Sequence, residues 1–136
     1  MTQIIKDKLQ SKLDNLKNIY DGLKNLQILK LSDLENNLNN VWAVSFGLVA
    51  GIEAVLDISQ YLLANKGIKI ESYGEVPQAL LKAGIIKAEM SNNLRQMIGF
   101  RNRLIHNYPS LDLEQLFGIL QNNLDDFKEF LKVVSA

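Results

Sequence analysis

Residues 41–64 read VWAVSFGLVAGIEAVLDISQYLLA, the most apolar stretch of the chain. A run of this length could span a bilayer as a helix. Glu53 and Asp57 interrupt it, however, and charged groups inside a hydrocarbon layer are costly. The stretch therefore reads as a helix buried in a bundle or at an interface, and no membrane partner is expected. That reading sets the class expected of the whole chain, which is all-α.

Outward from this stretch the punctuation is helical. The chain has two prolines, and no alternating apolar–polar run bounded by turn residues suggests a strand. Thr2 to Leu26 forms an expected first helix, with Ile5, Leu9, Leu13, Leu16, Ile19, Tyr20 and Leu23 along one stripe. Ser32 or Asp33 is the expected cap of a long second helix ending near Asn65, before Gly67. A short helix over Gly74–Lys82 stops at Gly84. A fourth runs from about Lys87 to about Asn107, because Pro109 disfavours helical geometry at Tyr108. Asp112, with Gln115 three residues on, is the expected capping box of a last helix reaching the C-terminus. The expectation is an antiparallel bundle of four to five helices in one domain, residues 1–136.

Composition narrows the function classes. The chain is 47% hydrophobic and 22% charged, which suits a folded core. It has no cysteine, so disulfides and thiolate metal sites are excluded and a cytoplasmic protein is expected. The formal net charge is zero, so bulk attraction to nucleic acid is absent. Charge is nevertheless uneven. Residues 82–108 carry Lys82, Lys87, Arg95, Arg101 and Arg103 against Glu89 alone, while residues 109–136 are acidic. A local anion site is possible on these numbers; an incidental asymmetry is the commoner case.

The stretch FRNRLIHNY, residues 100–108, concentrates two arginines, the single histidine and a tyrosine. Each helical residue advances about 100°, so relative to Leu94 the residues Met97, Ile98, Leu104 and Ile105 fall within about 80°. Arg101 lies at about −20°, in the middle of that apolar stripe, while Arg103 lies opposite. A guanidinium there needs a partner or a polar cleft. Glu53 and Asp57, one turn apart on the apolar helix, are the candidate partners in a buried ion pair. Such a pair could be purely structural, or could hold the arginine for work on a phosphate. His106 is about 140° round the helix from Arg101. The two converge only if the helix unwinds towards Pro109, or if a two-fold axis brings one chain's histidine to another chain's arginine. A histidine near a helix C-terminus can also simply cap carbonyls. Tyr108 can likewise be a plain packing residue.

The pattern Arg101-Asn102-x3-His106-x-Tyr108 resembles the R-x4-H-x-Y signature of the HEPN superfamily, and its surroundings resemble the HepT-like toxin branch. The preceding QMIGF, the carboxylate-bearing GIEAVLDISQYLLA and the order of short helix, turn, motif helix and final helix carry the likeness across most of the chain. The first thirty residues match only as an amphipathic helix. The resemblance implies an all-α fold and a homodimer whose cleft is lined by motif residues of both chains. It also implies a metal-independent endoribonuclease needing no cofactor. By matching position, Arg101 and His106 would be the catalytic pair and Asn102 a supporting polar residue. Tyr108 would accept AMP from an MntA-type nucleotidyltransferase antitoxin. RNA is the implied substrate, and DNA is not expected.

The residue types suit that chemistry. Cleavage through the adjacent 2′-hydroxyl needs a group that moves protons near neutrality and a fixed cation for the charge on phosphorus. Histidine and arginine are the side chains for those two roles. No carboxylate–histidine cluster at ligand spacing and no Gly-rich phosphate loop is present. Two other readings compete: a non-catalytic helical partner or substrate-binding subunit of a nucleotidyltransferase, and a plain dimerisation module.

Overall fold

Thr2 lies in extended geometry and its hydroxyl accepts the Ile5 N–H, which starts helix α1 (Gln3–Leu26). The computed structural model describes residues 2–106 and 110–135. After α1 the expected long helix is two helices, α2 (Leu31–Asn36) and α3 (Leu38–Asn65). Asn37 separates them. Its backbone is extended, and its side chain accepts the Asn39 N–H at 3.0 Å, capping α3. A short amide that bonds the backbone locally competes with helix continuation, which propensity along an apolar stripe does not reveal. Neither Ser32 nor Asp33 is the cap. Lys30 occupies that position, and the Asp33 carboxylate accepts its N–H at 2.8 Å.

Gly67 and Gly84 end their helices in the left-handed region, at φ 76° and 75°. At each, the following residue donates back five positions, Ile68 to Leu63 and Ile85 to Leu80, which closes the helix end. Between them a 3-10 turn at Tyr73–Glu75 leads into α4 (Val76–Lys82). Helix α5 spans Ala88–His106. Asp112 then caps α6 (Leu113–Asn122), its carboxylate accepting the Glu114 and Gln115 N–H groups. The expected final helix also breaks. Asn122 and Asn123 are weak helix formers, and Asp125 and Asp126 open α7 (Asp125–Ser135), where carboxylates favour a new N-terminus.

The class is all-α as expected, with seven helices among the described residues where four to five were expected. Helix α3 is the axis of the bundle and packs against every other helix. Val44, Leu48, Ile52, Val55, Ile58 and Leu63 bury its length. By length and composition α3 could cross a membrane, but 56% of its most apolar window is buried inside the bundle, the environment its apolarity serves.

Two features of α3 bear on association. Of Ala50, Gly51 and Ala54, the small residues whose spacing suggests close approach of a second chain, Gly51 and Ala54 are turned inwards and Ala50 is half-buried. A Cβ on Gly51 would stand 2.9 Å from the Phe127 ring, so that glycine makes room for α7. The exposed apolar side chains are Leu38, Trp42 and Phe46 instead, four residues apart on one face and 56%, 52% and 76% exposed.

Candidate functional site

Arg101 is held on three sides. Its Nη2 donates to Glu53 Oε1 at 3.0 Å and its Nη1 to Asn102 Oδ1 at 3.0 Å. Its side chain is only 17% exposed, and Nε is buried with no acceptor among the described residues. A charge so enclosed needs its carboxylate. Asp57 takes no part in this, and accepts instead from Lys12 of α1 at 2.8 Å. One further turn along α3 is enough to aim the carboxylate at a different helix.

The third contact is with Tyr73, whose ring centroid lies 5.1 Å from the Arg101 guanidinium carbon. Sequence reasoning missed this residue. Nothing in helix periodicity links a tyrosine in a short turn to an arginine 28 positions later. The available signal was its place, an aromatic beside a glycine immediately before the short helix.

Asn102 and Arg103 are exposed. Arg103 stacks over Phe100, 5.7 Å from its centroid, and does not join Arg101. Helix α5 stays intact through His106, which is exposed at its end. Within the described residues no unwinding brings His106 towards Arg101, so a continuous helix keeps them about 140° and about 7.5 Å apart along the axis. Tyr108 and Pro109 lie outside the described residues.

Residues 9–134 match the family model described as Ribonuclease HepT-like. The chain belongs to the HepT-like family. An mRNA nuclease HepT from Shewanella oneidensis is 31% identical over 85 residues, 62% of this chain and 64% of that protein's length. A tRNA nuclease HepT from Aphanizomenon flos-aquae is 23% identical over 137 residues, covering 100% of this chain and 93% of that protein. Among solved structures, the tri-AMPylated Shewanella oneidensis HEPN toxin in complex with MNT antitoxin superposes with a TM-score of 0.84. That match covers 99% of this chain and 98% of the toxin at 24% identity, and it establishes the HEPN helical fold.

On a different side of α5, this HepT-like chain has a concave space of about 480 Å³, lined by Met97, Phe100, Arg103, Asn123, Asp126 and Phe127 among others. Neither Arg101 nor His106 lines it, so this hollow lies away from the motif. Burial raises the Asp126 carboxyl above its ordinary range, Asp125 and Glu89 add to the effect, and a hydrogen bond with Asn123 opposes it. Among the described residues, no group of three His, Asp or Glu side chains could hold a metal ion.

Proposed function

We propose that this chain is a toxin endoribonuclease that cleaves RNA without metal, acts in the cytoplasm, and is neutralised by an MntA-type nucleotidyltransferase. The observation that carries the reading is Arg101, a cation kept at the inner stripe of α5 by Glu53 and Asn102, five residues before the single histidine. A guanidinium with both terminal nitrogens oriented is preorganised for a phosphodiester. Imidazole takes the proton from the 2′-hydroxyl as the O2′–P bond forms, and returns one to the departing 5′-oxygen as the P–O5′ bond breaks. Arg101 balances the charge on the phosphoryl oxygens, and Asn102 steadies Arg101.

One chain alone does not aim His106 at Arg101, so the cleft is completed by a second copy. The exposed row Leu38, Trp42 and Phe46 supports a homodimer built on α3. Tyr108 is the acceptor for AMP. The solved relative described as tri-AMPylated and bound to an MNT antitoxin supports this part of the reading. An adenylate there adds negative charge two residues beyond His106 in the chain.

Inducible expression without any antitoxin, followed by growth and RNA profiling, tests the proposal. Wild type should arrest growth and cut RNA, purified protein should cut in the presence of a chelator, and Arg101→Ala and His106→Ala should each do neither while remaining helical. Intact-mass spectrometry after incubation with an MntA-type enzyme and ATP–Mg²⁺ should find AMP on wild type and none on Tyr108→Phe. Cleavage surviving both single substitutions removes the ribonuclease reading. AMP found only elsewhere removes the role of Tyr108.

A further inference from the structure

Tyr73 begins a turn that is fixed from both ends. The Glu75 carboxylate accepts the N–H groups of Glu71 and Ser72 at 2.8 and 2.9 Å, folding the approach to the turn against itself. On the other side Val76 and Pro77 are buried at the start of α4. The turn therefore fixes the point from which the Tyr73 side chain departs. One face of the ring lies over the Arg101 guanidinium, at 5.1 Å. The residue nonetheless keeps 38% exposure.

Glu53 and Asn102 each accept one of the five guanidinium N–H donors, and Tyr73 lies against the flat side. A partly exposed aromatic ring, one contact away from the cation that would hold a phosphodiester, is what an unpaired base needs for stacking. A ring serving only the core would be buried like its neighbours Val76 and Leu80, both fully covered. Polarisation by the guanidinium on the inner face also favours an electron-rich heterocycle on the outer one.

We propose that the outer face of Tyr73 is a stacking subsite for a nucleobase of single-stranded RNA, the base adjoining the phosphate at Arg101. The proposal rests on the ribonuclease reading for the identity of the ligand. It gives the site a preference for unpaired over duplex RNA, since a base inside a helix has no free face to offer. It also makes little demand on which base is bound, because every base has a π-face.

The experiment uses short single-stranded oligoribonucleotides carrying 2-aminopurine at successive positions, bound to protein with the His106→Ala substitution to block cleavage. Fluorescence should change on binding at one position. Tyr73→Phe and Tyr73→Trp should keep that change and bind within about twofold, whereas Tyr73→Leu should lose it and bind about tenfold more weakly. Thermal melts establish that each variant is folded. Should Tyr73→Leu misfold, Tyr73→Trp still decides, because stacking requires it to bind at least as well as Phe. Affinity of Tyr73→Leu within twofold of its parent overturns the proposal. So does weaker binding with the fluorescence change intact, because Tyr73 would then only clamp Arg101. A Tyr73-dependent signal from a chain that cuts no RNA overturns the ribonuclease reading and leaves the subsite standing. Cleavage indifferent to Tyr73 does the reverse, and absence of both binding and cleavage sinks both.

Discussion

Replacing Glu53 with alanine isolates the contact that anchors Arg101. The pair is 3.0 Å apart, with side chains 17% exposed for Arg101 and 47% for Glu53. With charge centres about 4 Å apart and an effective dielectric near 20, the gross attraction is about 4 kcal/mol. Solvent screening at Glu53 and the ordering of two side chains oppose most of it, leaving about 1–1.5 kcal/mol. That exceeds an exposed pair because Arg101, once stripped of its carboxylate, stays largely shut off from water. Asp57→Ala is the internal standard. Its pair with Lys12 is 28% and 56% exposed, and its loss should cost less than about 0.5 kcal/mol. Glu53→Gln keeps an acceptor but no charge, and should lose less than half of what alanine loses. Urea unfolding followed by circular dichroism gives these stabilities, at one fixed protein concentration because self-association would add to them. A double-mutant cycle with Arg101→Ala should return a coupling of about 1 kcal/mol. Coupling below about 0.3 kcal/mol, or an Asp57→Ala loss equal to that of Glu53→Ala, refutes the reasoning.

Phe46→Ser should convert a dimer to a monomer in light scattering, while changing monomer stability by less than about 0.5 kcal/mol because the ring is 76% exposed. An unchanged mass would move the interface off α3. Gly51→Ala drives a methyl into the Phe127 ring, 2.9 Å away, and should cost about 1–2 kcal/mol and lower the melting temperature by about 3–6 °C. A melt equal to wild type would mean that the ring has room. Asp126 has its folded pKa raised by burial, so its contribution is fully present below the unfolded value and fades as pH rises through the folded one. Asp126→Asn should therefore match or slightly exceed wild type at pH 7, by at most about 0.5 kcal/mol since the residue is only half-buried, with the gap closing below about pH 4. A gap that widens on acidification would reverse the sign of the argument. Arg103→Ala should leave RNA cleavage far closer to wild type than Arg101→Ala does, as Arg103 sits over Phe100 on another side of α5. Equal damage would discredit the wheel that separates them.

What the sequence determined by itself is whatever depends on neighbours along the chain. Helix content, the stops at Gly67 and Gly84, the cap at Asp112 and the seat of Arg101 on the inner stripe all follow from periodicity and local backbone chemistry, which act within a few residues. The breaks at Asn37 and Asn123 are also local, but at Asn37 the outcome turns on a competition between a side-chain amide and the helix, and periodicity gives no warning of either break. The choice of Glu53 over Asp57 was not legible at all. Both carboxylates lie on one face of α3, a turn apart, and only the crossing of α3 with α5 and α1 decides which meets Arg101 and which meets Lys12. Gly51 reads as a surface for another chain until Phe127 is seen to fill the space above it. Tyr73 and Arg101 are brought together by two short connections and the packing of α4 on α5. Such contacts depend on angles between helices, which are set by the fit of many side chains at once and leave no periodic trace in the order of the residues.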